Sequence, residues 1–421
     1  MMRRIVLTTF GSLGDLHPYL AVGLGLKARG HAVTIATSEI YRERVEREGL
    51  EFHAVRPDLE RFRGDREVVR RIWSPRTGTE YIIRKLMLPH LADSFADLRA
   101  ACVGADVLVT HVLLYAAPLV AETLGIPLVS VGLQPAAFVS VHDPSVLAPA
   151  RWTYGLRRFG PTPFRVLHKM AAWRARAWAQ PIYDLRRSLG LPMPAQNPIL
   201  YWGAQGEYAQ AWFSPLLGVA QPDWPAGTVV TGFPFYGASS GIALTAETEE
   251  FLRAGEPPLV FTLGSAAVQH AGDFYAESAA AARLLGRRAV LLVGEEPLQG
   301  LASETIHVTA YEPYAALFPR AAAVVHQCGI GTTAESLRAG VPILAVPWGH
   351  DQFDNAERLK RLGCARVLSR RGYRARQVAK AIHELTGSAS IAVKVAEVAQ
   401  QIRAEDGVAA ACDAIERAMR G

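Results

Sequence analysis

The sequence predicts an α/β protein made of two doubly wound parallel sheets in tandem. Three observations predict it. In the first half, the short apolar runs Ile5–Thr9, Ala32–Thr37, Phe52–Val55, Val107–Thr110 and Leu128–Val131 read as strands, with helical patterns at Pro18–Arg29 and Tyr41–Glu48 between them. The pattern restarts at Leu259–Leu263, Ala289–Val293, Ile306–Thr309, Ala321–Val325 and Ile343–Val346. At 421 residues the chain is too long for one ordinary core, so two or three domains are expected.

Each element has a local reason. The strands are nearly continuous apolar runs, as strands buried on both faces are. Charged helical segments between Asp65 and Arg99 read as excursions over the first sheet's edge. Ala375–Leu385 and Ile391–Ala418 read as closing helices. Pro222–Gly241, rich in Pro, Gly, Ser and aromatic residues, marks a seam. The resulting domains are 1–225 and 226–421, with the last helix free to pack back on the first, and a cleft between the two.

Composition narrows the class. The chain is 50% hydrophobic and 20% charged, which is that of a soluble globular protein. The net charge of +6 suits an anionic ligand or surface. Cys102, Cys328, Cys364 and Cys412 are scattered without C-x-x-C or zinc spacing, and read as free thiols of a reducing cytosol. The apolar run Ile5–Phe10 behind Arg3 and Arg4 is shorter than the ~7–15 residues of a secretory signal, so it reads as a first strand. The most apolar region, Val107–Leu133, is broken by His111, Pro118, Glu122, Gly125 and Pro127, which excludes a spanning helix there. A cytoplasmic location follows as the expectation.

Arg151–Arg187 stands apart. It carries Arg151, Arg157, Arg158, Arg165, Lys169, Arg174, Arg176, Arg186 and Arg187 against the single acid Asp184, interleaved with Trp152, Tyr154, Phe159, Phe164, Trp173, Trp178 and Tyr183. One reading is a helical flap with a solvated basic face. The other is an acceptor-side wall touching lipid headgroups or an acidic acceptor, with peripheral contact at the inner membrane face. No nucleic-acid module accompanies it.

The densest chemistry lies in Tyr311–Asn355. A buried strand, Ala321–Val325, empties into the glycine-rich turn Gln327–Gly331, containing Cys328 and Gly329. A helix is expected from Thr332 and Thr333, with Glu335 in its first turns and an end near Gly340 before Pro342. Turn N–H groups and the positive end of a helix dipole make a seat for a diphosphate. The strand Ile343–Pro347 then delivers Asp351 and Gln352, polar groups able to hold a sugar. Gly264-Ser265, after the strand Leu259–Leu263, forms a second turn able to hold a phosphate oxygen. At the end of the first strand sits Gly11-Ser12-Leu13-Gly14-Asp15-Leu16-His17-Pro18.

In these motifs the chain resembles the family 1, UGT-like glycosyltransferases of the GT-B fold, most of all bacterial members acting on natural products, sterols or lipids. Y-x-P, the Gly-rich turn, G-T-T-x-E, G-V-P, P-W and D-Q-x-x-N-A fall in that family's order. The resemblance covers nearly the full length. It implies two Rossmann-like domains facing across a cleft, an inverting hexosyltransferase, and a UDP- or dTDP-sugar as co-substrate with no other cofactor. Its acceptor is a hydrophobic molecule or lipid with a free hydroxyl. Tyr311 matches the residue that stacks on the nucleobase, and Gly264 and Ser265 match a phosphate-contacting turn. Glu335 matches the glutamate that accepts the ribose hydroxyls. Asp351 and Gln352 match the pair that grips the donor sugar. The G-D-x-x-P turn makes Asp15 the general base, since O-glycosyl transfer needs a proton taken from the acceptor hydroxyl; Gly14 of that turn is counted with the donor contacts. His111 is expected near Asp15.

One position departs from the family. Where it places a diphosphate-contacting His, this chain has Gln327, with His326 one residue earlier. Either could serve the donor. The chain has no D-x-D triplet, so no metal site is expected and leaving-group charge falls on the helix N-terminus. Two other functions fit parts of the pattern. Gly329-x-Gly331-x-x-Ala334 with Asp351 fits a dinucleotide fingerprint, and hence an NAD-dependent oxidoreductase. Gln327 also fits a catalytically weak GT-B relative that activates a partner enzyme.

Overall fold

The computed structural model describes residues 2–62, 65–200, 208–237, 243–295 and 300–420. The chain divides into two compact units, Met1–Tyr236 with Asp406–Gly421, and Gly237–Glu405. Residues 238–241 of the expected seam lie outside the described residues.

The first unit holds a sheet of β1 (Arg4–Thr8), β2 (Ala32–Thr37), β3 (Glu51–Ala54), β4 (Val107–His111), β5 (Leu128–Gly132), β6 (Tyr208–Ala211) and β7 (Val229–Val230). Their order is 3-2-1-4-5-6-7 and every pairing is parallel. The second unit's sheet joins β8 (Leu259–Thr262), β9 (Ala289–Leu292), β10 (Ile306–Thr309), β11 (Ala323–His326), β12 (Ile343–Ala345) and β13 (Ala365–Val367). Its order is 10-9-8-11-12-13, again all parallel. The expected α/β class, with one doubly wound sheet per unit, is what the chain forms.

Each sheet is covered on both faces, so strand residues of either parity are buried. Ile5, Val6 and Leu7 are all solvent-free, as are Val324 and Val325. Val6 and Leu108 pack with Leu119 and Ile182 on one face of the first sheet. Val260, Val290 and Val324 pack with Leu317 and Phe318 in the second unit. β6, β7 and β13 escaped the sequence reading because they are short and carry too little apolar periodicity.

Parallel strands need crossovers, and these are right-handed. Helices following β1 and β2 therefore lie on one face, while those following β4 and β5 lie on the other. The winding reverses between β1 and β4, and again between β8 and β11. At each reversal the chain leaves two neighbouring strand ends in opposite directions and opens a crevice.

Two helices differ from expectation. The first runs Leu13–Ala28 instead of starting at Pro18. Ser12 caps it by a reciprocal box with Asp15, which outweighs the one backbone bond that Pro18 lacks. The closing segment is two helices, Ala389–Ala404 and Gly407–Ala418, separated by extended backbone at Glu405. The second of these belongs to the first unit and packs on the Leu13 helix, with Arg29 bonded to Asp413 (2.6 Å) and His31 to Glu416 (3.2 Å). Among the described residues no helix is long and apolar enough to cross a membrane.

The Gly407 helix starts where two backbones nearly touch. A Cβ on Gly407 would lie 2.5 Å from the carbonyl carbon and oxygen of Phe233. Backbone cannot give way as a side chain can, so Gly407→Ala is expected to cost roughly 1–3 kcal/mol. Thermal unfolding should show a drop of a few degrees, and limited proteolysis should become faster near Glu405. An unchanged melting temperature would show that the terminal helix is not docked this way.

Candidate active site

The winding reversal in the first sheet positions one group of residues. β1 ends at Thr8 and its chain turns through Gly11 into the Leu13 helix; neighbouring β4 ends at His111. Gly11 has φ +137°, and a Cβ there would sit 2.2 Å from Asp15 Oδ2, so only glycine closes this turn. Asp15 is held from that side. Its Oδ2 accepts from the Ser12 backbone N–H (2.7 Å) and the Ser12 hydroxyl (3.2 Å). Its Oδ1 lies 4.0 Å from His111 Nε2.

The electrostatics follow from burial. The Asp15 side chain is 30% exposed but walled by protein elsewhere. Desolvation raises its pKa to about 6, against the lowering effect of the Ser12 hydrogen bonds. His111 is buried, and desolvation lowers its pKa to about 4. Near neutral pH the pair is thus a carboxylate beside a neutral imidazole, not an ion pair. Neither ring nitrogen of His111 has a hydrogen-bond partner among the described residues. Beside it lies a cavity of about 20 Å³, lined in part by Thr110, Tyr115, Ser130 and Pro198. That is room for about one water, which would satisfy the ring, and not for a large molecule. The Gly14 N–H, expected among the donor contacts, is given to Ser12 Oγ (3.3 Å).

The reversal in the second sheet positions the other group. β8 leads into Gly264, and its neighbour β11 leads into Gln327, Cys328 and Gly329. The helix after β11 runs Ile330–Ala339 and its N-cap is Gly329. It begins two residues before Thr332, so Gly331, Thr332 and Thr333 lie in its first turn and do not cap it. Thr333 N–H already reaches Gly329 O (2.9 Å). The N–H groups of Ile330, Gly331 and Thr332 have no acceptor within the helix and carry its positive pole.

The turn itself is braced from beneath. Cys328 takes φ +69°, a conformation that non-glycine residues rarely adopt. Two buried side chains hold it. His326 Nδ1 accepts from Cys328 N–H (3.0 Å), and Asn355 Nδ2 donates to Cys328 O (2.9 Å). His326 is solvent-free, and burial lowers its pKa to about 3, so it is neutral and faces the core. Burial also raises the Cys328 thiol. Gln327 instead aims its amide at the seat: its Nε2 lies 2.2 Å from where a Gly264 Cβ would be and 3.0 Å from that of Gly329. Gly264 has φ +67°, and Ser265 beside it is exposed.

Four more of the expected residues lie on elements of the same unit. Glu335 Oε2 pairs with Arg338 Nη2 at 2.6 Å. Burial raises the Glu335 pKa, and Arg338 only partly offsets this. Asp351 is the N-cap of the helix Gln352–Leu362, and Asn355 Nδ2 also donates to its Oδ2 (2.7 Å). Gln352 is turned inward: its Oε1 accepts from the N–H of Trp348 (2.8 Å) and Gly349 (3.1 Å). Tyr311 is 57% exposed at the end of β10, its ring 6.4 Å from that of Tyr314. Behind it, the fully buried Glu312 accepts from Thr245 N–H and the hydroxyls of Thr245 and Thr248.

Sequence reasoning missed Ser12, Asn355, Glu312 and Arg338. The S-x-x-D spacing of Ser12 and Asp15 is a capping-box signal that could have found Ser12. Asn355 stands in the D-Q-x-x-N-A motif, but its bond to Cys328 comes from a distant segment; nothing in the sequence marks Glu312, whose partners are distant, or Arg338, whose helix face the pattern alone does not orient.

Comparison with known proteins gives the family and the fold. Residues 5–140 match the glycosyltransferase family 28 N-terminal domain, and residues 289–415 match the erythromycin biosynthesis protein CIII-like C-terminal domain. The chain is 34% identical to O-mycaminosyltylonolide 6-deoxyallosyltransferase of Streptomyces fradiae, over 98% of this chain and 97% of that protein. It is 26% identical to the sterol 3-beta-glucosyltransferase of Debaryomyces hansenii over 97% of this chain, and spans only 26% of that longer protein. Its fold matches that of the glycosyltransferase VinC, solved in complex with dTDP, with a TM-score of 0.67 at 21% identity, covering 99% and 100% of the two chains.

Two glycines separate backbone strain from crowding at the seat. Gly264 and Gly272 both have positive φ, but only Gly264 faces an obstacle, the Gln327 amide. Gly272→Ala should cost about 1–2 kcal/mol from backbone strain alone. Gly264→Ala should cost more and weaken binding of inorganic pyrophosphate, because Gln327 must swing away. Calorimetric melting and pyrophosphate titration of both variants check this; equal losses and equal binding would mean that the amide is not packed in the turn.

Proposed function

The chain belongs to the family 1 glycosyltransferases of the GT-B fold, a nucleotide-sugar-dependent family, and from that premise we propose an inverting hexosyl transfer from a dTDP- or UDP-sugar to a hydroxyl of a hydrophobic acceptor. The observation that carries this reading is the seat at β8 and β11, where three N–H groups of a helix N-terminus and the Gln327 amide converge on one turn. That is a site for a diphosphate. Asp15 takes the proton of the acceptor hydroxyl as its oxygen attacks C1 of the sugar. The C1–O bond to the diphosphate breaks on the opposite face, and the negative charge released falls on the helix N-terminus. Gln327 makes the diphosphate contact, while His326, buried and bonded to Cys328, supports the turn from below. His111 stays neutral and orients a water or the acceptor hydroxyl beside Asp15. Tyr311, solvent-facing at its strand end, stacks on the nucleobase, and Asp351 takes the hexose hydroxyls. Gln352 contributes its amide NH₂ end alone, its oxygen being committed to the Trp348–Gly349 backbone.

The relatives extend the reading to substrates. One is named for a macrolide-type acceptor and a deoxyhexose, another for a sterol, so an apolar, hydroxyl-bearing ring system is the acceptor class we favour. For the donor we rank dTDP ahead of UDP. One Glu335 oxygen is already bonded to Arg338, which leaves the other for a single pentose hydroxyl. Deoxyribose offers one there; ribose offers two. The dTDP complex of a protein with the same fold supports this ranking.

A base with a pKa of about 6 sets the pH profile. It works deprotonated, so activity should be flat above about pH 7 and fall tenfold per unit below about pH 6. An ordinary aspartate would hold activity to about pH 4. Asp15→Asn should lower kcat by about 10²–10⁴-fold and remove the acid limb, with dTDP affinity unchanged. Near-normal turnover of Asp15→Asn would refute the assignment.

Glu335→Ala should weaken dTDP binding by about 10–100-fold, the loss of a charge-assisted hydrogen bond. Calorimetric titration of the parent chain should also give dTDP an affinity equal to or above that of UDP. A clear preference for UDP would overturn the donor ranking.

A further inference from the structure

Within residues 144–183 there is no Asp or Glu, yet there are seven cations: Arg151, Arg157, Arg158, Arg165, Lys169, Arg174 and Arg176. The helix Thr162–Ala175 at its centre buries Phe164 and Ala175. The opposite face should be polar, as on any helix covering a core. It is not. Val166, Met170 and Trp173 recur at helical spacing along it and are 55%, 61% and 79% exposed. Lys169 and Arg165 flank this apolar stripe on one side and Arg174 on the other. All three cations are exposed, and none forms an ion pair among the described residues. The preceding 3-10 segment adds exposed Trp152 and Phe159. The buried Arg186 is different: it turns inward to Glu122 (2.6 Å) and takes no part.

We propose that this helix is an interfacial anchor that lays Val166, Met170 and Trp173 into the surface of an anionic phospholipid layer. A helix apolar on its outer pole and cationic at both shoulders has the pattern of one lying in a bilayer plane. The complementary surface needs negative charge spread on both sides of an apolar strip, and anionic headgroups around acyl chains supply both. Trp suits the headgroup level, since its ring is apolar and its N–H is polar. The two shoulders place the cations at headgroup depth when the stripe is inserted. The inference does not depend on which donor or acceptor the site takes.

The test uses the full chain and sedimentation with vesicles of phosphatidylcholine, with and without phosphatidylglycerol, at low and high salt. The chain should sediment with phosphatidylglycerol vesicles, poorly with phosphatidylcholine alone, and less at high salt. Charge reversal of Arg165, Lys169 and Arg174 to Glu should weaken binding by about 100-fold or more, at about fivefold per cation. Met170→Glu with Trp173→Glu should weaken it by about tenfold or more even at low salt. Unchanged melting and dTDP binding serve as the folding control. Three results would overturn the proposal: no binding to anionic vesicles, binding that ignores both sets of substitutions, or a vesicle-free effect. The last would be a dimer that dissociates in Met170→Glu/Trp173→Glu, which makes the face a contact between copies, or a raised KM for a soluble acceptor, which makes it an acceptor wall.

Discussion

The rest of this structure depends on one constraint, the reversal of winding within each parallel sheet. Parallel strands bring all their C-terminal ends to one edge, and right-handed crossovers send the chain to one face or the other. Where the direction changes, between β1 and β4 and between β8 and β11, neighbouring strand ends are not covered by their own connections. Asp15 and His111 come from the first such pair, and Gly264 and Gln327 from the second. Residues about a hundred positions apart in the first unit, and some sixty in the second, are thereby set side by side on rigid strands.

At both reversals the polar groups that face outward are fixed by polar groups that face inward. Ser12 holds one oxygen of Asp15 and leaves the other toward His111. His326 and Asn355 hold a left-handed residue, Cys328, in the turn that presents Gln327. His326 and Asn355 are buried and Ser12 partly so, and in the buried pair a lost partner would leave an unsatisfied polar atom. The strain at Cys328 is kept because two independent bonds over-determine it.

Burial also tunes the charge states. It raises Asp15 toward neutrality and lowers His111 and His326 far below it. The result is a carboxylate that is a better base than a solvated one, beside an imidazole that carries no competing charge. In the second unit the positive potential comes from a helix N-terminus, which needs no titratable group. In the proposed reading Gln327 then need only donate, because the dipole supplies the positive potential.

Much of this was legible in the sequence. Strand-by-strand alternation, glycine-rich turns at strand ends and the order of the motifs determined the fold class and the family. Those are local signals, since a buried parallel strand is apolar throughout and a tight turn needs glycine whatever surrounds it. The sequence left the last helix free to return to the first unit, and packing decided that it does; it could not say that Gly14 N–H and one oxygen of Glu335 are already committed. It could not separate Gln327 from His326 either, because adjacent strand residues point to opposite faces and only packing says which face is the core. The same holds for Val166, Met170 and Trp173, whose helical spacing puts them on one face without saying that this face meets solvent. Periodicity tells which residues share a face; only the tertiary structure, by burying one face against its neighbours, decides where that face looks.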